Sequence, residues 1–162
     1  MKIPPQKDIG ASLAGDVADR VPGALLEAVV DHGETILRVA PERVADVCRH
    51  LREEPSWRFA YPACISCVDR LPRTPRFEVV YHLRSIVHNF RVALAAEVPD
   101  DTLSLPSVTP VWKGANWHER EIFDLYGVRF AGHPDLRRIM MAEDWEGHPY
   151  RRDYPLAGRG EA

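Results

Sequence analysis

Asn116-Trp117-His118-Glu119-Arg120-Glu121-Ile122-Phe123-Asp124-Leu125-Tyr126-Gly127 is the stretch whose reading decides the fold. At about 100° per residue, Val111, Ala115, Ile122 and Tyr126 share one narrow arc of a helix, flanked by Trp112, Phe123 and Leu125. That arc is a core-facing stripe, and Gly127 is a natural stop just past it. The same wheel puts His118 and Glu119 inside the apolar arc and Arg120, Asp124 and Trp117 on the opposite side. An inward carboxylate has to find a donor or shift its pKa, and an outward tryptophan asks for a partner surface. Glu119 is therefore expected to be buried, with Arg120 and Glu121 on or beside the outward face. Arg120 and Asp124 stand four apart, a spacing worth about 0.2–0.5 kcal/mol if exposed. The plainer reading is an amphipathic helix with one satisfied polar residue at its edge.

The run behind this helix, residues 128–162, has almost no regular periodicity. Pro134, Pro149 and Pro155 interrupt it, and Gly132-His133-Pro134 recurs as Gly147-His148-Pro149. Each residue before a proline is pushed toward extended geometry, so a long helix is not expected. Phe130, Leu136, Ile139, Met140, Met141, Trp145, Tyr150 and Tyr154 are nevertheless spread through it, and disordered tails are poor in such residues. The segment is expected to order itself on its own domain or on another polypeptide, with the second favoured.

These motifs occur in a recognisable order. Glu119-Arg120-Glu121, Asp124-Leu125-Tyr126-Gly127, Gly132-His133-Pro134-Asp135-Leu136-Arg137-Arg138-Ile139, Asp144-Trp145-Glu146-Gly147-His148-Pro149 and Arg151-Arg152-Asp153-Tyr154-Pro155 follow one another. The chain resembles the C-type subunit family of respiratory complex I, the proton-pumping NADH:quinone oxidoreductase. The match is dense from Pro106 to Leu156, and residues 76–83 (RFEVVYHL) share it. Ala142 departs from the pattern where the family often has proline, and Cys64-Ile65-Ser66-Cys67 is not a family hallmark.

The resemblance implies a peripheral-arm subunit with no redox centre of its own. It would pack against the D-type subunit, which helps form the quinone site, and against neighbouring iron–sulfur subunits. NADH, FMN, iron–sulfur clusters and quinone would be bound by those partners. The resemblance also implies a location on the cytoplasmic side of the cell inner membrane, or the matrix side in an organelle, with membrane contact only through the complex. Trp117, Glu119, Arg120, Glu121, Asp124, Gly127, His133, Pro134, Arg137, Arg138, Asp144, Trp145, Gly147, Pro149, Arg151, Arg152, Asp153 and Pro155 are then interface candidates. Nothing in the chain separates this reading from the equivalent subunit of a ferredoxin-linked quinone reductase or a membrane-bound hydrogenase.

Composition is compatible with this. At 162 residues the chain can build a core, and its 45% hydrophobic content suits a globular domain. No apolar run approaches the ~20 residues that cross a bilayer, and the first ten residues lack a signal-peptide core. The 21 basic and 24 acidic residues are interleaved, which argues against a nucleic-acid surface.

Taken in order, residues 1–10 read as a frayed start and Ala11–Val30 as a helical stretch broken near Pro22-Gly23. Thr35–Val39 reads as a strand. Pro41-Glu42 opens a helix whose stripe is Val44, Val47, Cys48 and Leu51, ending before Pro55. Phe59–Val68 is strand-like. Phe77, Val79, Tyr81 and Leu83, then Phe90, Val92, Leu94 and Ala96 beyond a turn at His88-Asn89, alternate as a hairpin with one buried face. The expected architecture is an α/β (α+β) two-layer sandwich over residues 1–127. A small mixed or antiparallel sheet carries helices on one side, and residues 128–162 follow as an extended partner-binding C-terminal tail.

Cys64-x-x-Cys67, with Cys48, is the one feature that suggests a stand-alone dithiol or zinc protein. A redox dithiol normally opens a helix, whereas residues three apart on a strand point to opposite faces. Three cysteines are also one short of an all-cysteine metal site, and His118-Glu119 lacks the second histidine of a zinc-protease motif. No phosphate loop or dinucleotide fingerprint is present. No catalytic, cofactor-binding or metal residue is expected in this chain.

Overall fold

The structure, a computed structural model, describes residues 6–155, with side chains from Ile9 onward. Helix α1 (Gln6–Arg20) leads into strand β1 (Leu25–Asp31) and its hairpin partner β2 (Glu34–Val39). A short 3-10 turn (Pro41–Arg43) opens α2 (Val44–Glu53), as the proline before it suggests. Strands β3 (Tyr61–Asp69), β4 (Phe77–Ser85) and β5 (Phe90–Val98) follow, then β6 (Ser104–Pro106), α3 (Ala115–Tyr126) and β7 (Arg129–Ala131).

The sheet order is β1-β2-β5-β4-β3. All neighbours are antiparallel except β2 and β5, which run parallel. The expected hairpin is present in continuous register from Phe77↔Val98 to Ser85↔Phe90. Its inner face buries Phe77, Val79, Tyr81 and Leu83 against Val92, Leu94 and Ala96. Leu13 and Val17 of α1, the whole predicted stripe of α2, and Ala115 and Ile122 of α3 join the same core. The three helices thus cover one face, giving the two-layer sandwich. Each fully buried Leu, Val or Phe here contributes about 1.5–3 kcal/mol.

Three expectations need correction. The helical stretch ends at Arg20, and Leu25–Asp31 is an edge strand. It folds onto β2 through His32 (φ 47°) and Gly33 (φ 82°), the two left-handed residues a tight hairpin turn requires. Helix α1 already runs from Gln6, where the sequence suggests a frayed start; residues 1–5 lie outside the described residues. The third helix starts at Ala115, while Val111 and Trp112 are buried in a turn held by the Val108 carbonyl. Two short strands are too brief to leave a period in the sequence: β7 pairs parallel with β6, Leu105 opposite Phe130, and so ties the first residues of the tail to the domain.

Candidate functional site

Glu119 points into the core, as the wheel requires, and is fully buried. Ser107 Oγ donates to its Oε2 at 2.6 Å and the Val108 amide to its Oε1 at 2.7 Å. Ser107 is in turn paired with Thr109 Oγ1 at 2.7 Å. Burial pushes the Glu119 carboxyl up to about 7, against the pull of those two donors. His133, from the first Gly-His-Pro triplet, brings Nε2 to 3.9 Å from Glu119 Oε2 with its ring out of solvent. Its Nδ1 accepts from the Asp135 amide at 3.0 Å, so Nε2 carries the ring proton, 3.3 Å from the Asn116 carbonyl. Glu119 therefore pins the 107–109 loop to one turn of α3, and His133 ties the start of the tail to the Asn116 carbonyl of the same helix.

The other end of α3 is closed by the tail itself. The last four carbonyls of a helix lack intrahelical partners. Here Gly127 N donates to Phe123 O at 2.9 Å, His148 Nδ1 to Asp124 O at 2.8 Å, and Tyr150 N to Leu125 O at 3.1 Å. Arg151 Nε completes the set by donating to Tyr126 O at 2.6 Å. Cations at a helix C-terminus also oppose its dipole favourably. Gly127 sits at φ 80°, and a Cβ there would overlap the Arg151 guanidinium and His148 Nε2. Burial lowers the His148 pKa, outweighing its bond to Asp124 O, and favours the neutral ring that donates from Nδ1.

Arg120 and Asp124 differ from expectation. Both are buried, although the wheel puts them outward. They do not pair with each other, because the tail returns over this face and supplies better partners. Arg120 Nε donates to Arg137 O at 3.1 Å and its Nη2 to Arg138 O at 3.0 Å. Arg138 Nη1 donates to Asp124 Oδ1 at 2.6 Å. Asp124 Oδ2 accepts the amides of Ile139, Met140 and Met141 at 3.0, 2.7 and 2.8 Å. Burial pushes the Asp124 pKa up, but the Met141 amide, the Arg138 guanidinium and the other two amides hold it below the ordinary value. Arg138 Nη2 reaches on to Trp145 O and Gly147 O, at 2.8 and 3.1 Å, and so binds the next turn of the tail.

A second lock fixes the far end of the tail to the sheet. Arg76 joins Asp69 and Asp153, with Nη2 at 2.7 Å from a carboxylate oxygen of each. The Arg152 amide donates to Asp69 Oδ2 at 2.8 Å. The Arg76 guanidinium holds the Asp69 carboxyl well below the usual range. The sequence favours ordering of the tail on another polypeptide; in the structure, residues 128–155 pack on the chain's own helix and sheet.

The remaining candidates face outward. Trp117 is 61% exposed, with the Arg120 guanidinium 5.5 Å from its ring centroid. Glu121, Pro134, Arg137, Asp144, Trp145, Arg152, Asp153 and Pro155 are exposed, while Gly147, Pro149 and Arg151 are half-buried. Met140 and Tyr150 add exposed apolar surface. Ser107, Val108, His148 and Tyr150 join the site without being marked as candidates by the sequence. Ser107-Val108-Thr109-Pro110 ahead of an inward carboxylate, and the second Gly-His-Pro triplet, are the signals that could have found them.

The cysteine pair lies as strand geometry demands. Cys64 is exposed and Cys67 buried on the opposite face of β3. Burial pushes the Cys67 thiol up to about 12 and raises Cys48 further, the reverse of an activated thiol. Among the described residues, no three His, Cys, Asp or Glu side chains are grouped to hold a metal ion. No helix among them is long and apolar enough to cross a membrane.

A small α+β domain whose third helix is wrapped by its own C-terminal segment defines a recognisable class. The family model "Respiratory-chain NADH dehydrogenase, 30 Kd subunit" matches residues 37–160. A C-type subunit of NADH-quinone oxidoreductase from Rhizobium etli is 52% identical over 78% of this chain and 67% of its own length. The C-type subunit of Geobacter sulfurreducens is 46% identical over 86% of each chain. The solved trypsin-resistant fragment (1–134) of Nqo5 superposes with a TM-score of 0.66 at 30% identity, covering 81% of this chain and 99% of that one. The chain belongs to the family of NADH-quinone oxidoreductase C subunits, and is thereby a subunit of an oxidoreductase complex.

Proposed function

We propose that the chain is a structural subunit of the peripheral arm of a proton-pumping NADH:quinone oxidoreductase, carrying no redox group itself. It packs against the D-type subunit of the quinone site and neighbouring iron–sulfur subunits, which bind FMN, the clusters, NADH and quinone. By holding those centres in register it supports electron transfer from NADH to quinone. It sits on the cytoplasmic side of the membrane, or the matrix side in an organelle, and touches the membrane only through the complex.

One observation carries this reading. The motif residues divide into an inward set, with Glu119 holding the 107–109 loop and Arg120, Asp124 and Arg138 ordering the tail, and an outward set that includes Trp117 and Trp145, beside which Tyr150 is also exposed. Aromatic side chains held on a rigid surface are typical anchors of protein interfaces. Tagged chain from solubilised membranes, run on native gels and identified by mass spectrometry, is expected in the band that oxidises NADH. Migration as a free chain, or metal or flavin absorbance in the purified chain, would overturn the reading.

A further inference from the structure

Among the described residues, β3 is the last strand of its sheet, and its outer side pairs with no other strand. Beside it lie two cavities. One, of about 630 Å³, is bordered by the consecutive residues 60–63 together with Trp112 and His118. The other, of about 260 Å³, is bordered by residues 64–67 together with His118, Ile122 and Leu125. Successive side chains on a strand point to opposite faces. A cavity bordered by four consecutive strand residues therefore follows the backbone edge. His118 borders both, which makes one trough along eight consecutive residues. Its other wall is the turn at Trp112–Gly114 beside residues 60–63, and beside residues 64–67 it is α3, where His118, Ile122 and Leu125 are spaced as one helix face.

This edge is poorly defended. An edge strand offers a row of unpaired N–H and C=O groups, and proteins blunt such edges with charges, prolines and bulges. β1, the opposite edge, carries Glu27 and Asp31 and a register shift between Leu25 and Glu27. In β3 the blunting devices sit at the two ends, at Pro62 and the shift between Pro62 and Cys64, and at the terminal Asp69. From Cys64 to Val68 the strand carries no charge.

We propose that β3 and α3 form an acceptor groove for an extended segment of a neighbouring polypeptide, which adds a sixth strand to the sheet. Main-chain hydrogen bonds to β3 supply affinity, and alternate apolar side chains of the segment lie against Tyr126 and the exposed Tyr150. Lys113 borders the first cavity and Glu121 the second, so the segment carries an acidic group in the first and a basic group in the second. β3 of a second copy carries no charge from Cys64 to Val68 to meet Glu121, so the segment is a different one. The proposal rests on the reading under Proposed function only for the source of the segment, another member of the complex.

Amide hydrogen exchange and maleimide alkylation of Cys64 are compared in the free chain and in the complex purified from membranes. Expected is slowing of about tenfold or more for those amides of residues 64–68 that point away from β4, and slowed alkylation of Cys64. A photoreactive benzoylphenylalanine in place of Ser66 is expected to crosslink to one stretch of one partner protein. Equal exchange and alkylation in a complex that contains the chain overturns the groove alone. Crosslinks to a second copy of this chain overturn the occupant. Absence of the chain from the complex overturns its place in that assembly, and the source of the segment with it.

Discussion

Asp124 and Arg138, fourteen residues apart, form a 2.6 Å ion pair, and the second oxygen of the same carboxylate collects three consecutive amides of the tail. The pair joins the organising helix to the motif that follows it. Removing one partner of a buried pair costs about 3–5 kcal/mol, and here the loss falls on the segment that Asp124 holds.

Asp124→Ala is therefore expected to loosen residues 137–155 before it unfolds the domain. Limited trypsin digestion should cut after Arg138, Arg151 or Arg152 at least about tenfold faster than in the wild type. The folded pKa of Asp124 is lowered. Its contribution is thus present above the unfolded value of about 3.9 and is lost as pH falls through the folded value. Tail protection in the wild type should fail in acid, and Asp124→Ala should lack it at every pH. Wild-type cleavage rates in the variant would count against the clamp.

Glu119 has the opposite sign. Burial raises its folded pKa to about 7, above an unfolded value of about 4.3. Its contribution is fully present below the unfolded value and is lost as pH rises through the folded one. Relative to Glu119→Gln, the wild type should lose on the order of 3 kcal/mol between pH 4.5 and 7.5. Urea unfolding of both proteins at three pH values in that window measures it. A constant difference would show that Glu119 does not titrate there. Glu119→Ala, which strands Ser107 and the Val108 amide, should cost about 3 kcal/mol at pH 7.

Much of this is legible in the sequence because it is local. The α2 stripe, the alternation of the hairpin, the inward direction of Glu119 and the stop at Gly127 follow from periodicity and backbone preference over a few residues. Leu25–Val30 reads as helix because an edge strand exposed on both sides shows no clean alternation. Arg120 and Asp124 are misplaced by the wheel for a longer-range reason. A helical wheel treats the face away from the core as solvent, and only the tertiary path shows the tail lying over it. Polar contacts such as Arg151 to Tyr126 O, or Arg76 to Asp153, span 25 and 77 residues and leave no periodic trace.

Two glycines with nearly the same backbone separate strain from crowding. Gly127 and Gly132 have φ of 80° and 82°, but a Cβ at Gly132 would meet nothing within 4 Å, while one at Gly127 would meet Arg151 and His148. Gly132→Ala should cost about 1 kcal/mol from the left-handed backbone alone. Gly127→Ala should cost about 3 kcal/mol, because it also displaces two groups that cap α3. Thermal melts of the two variants give the comparison. Equal losses would mean that His148 and Arg151 contribute little to closing the helix.

The double variant Trp117→Ala, Trp145→Ala tests the division between inward clamp and outward docking surface most directly. Both rings are exposed, and Trp145 is held through its backbone carbonyl, which the substitution leaves in place. Loss of the contact between Trp117 and Arg120 should cost the isolated chain no more than about 1 kcal/mol. Native gels of membranes from cells carrying the double variant measure assembly, alongside melting of the purified chain. The expected result is a near-normal melting temperature with most of the oxidoreductase unassembled. Wild-type levels of assembled complex would contradict the claim that this face is where the protein meets its partner.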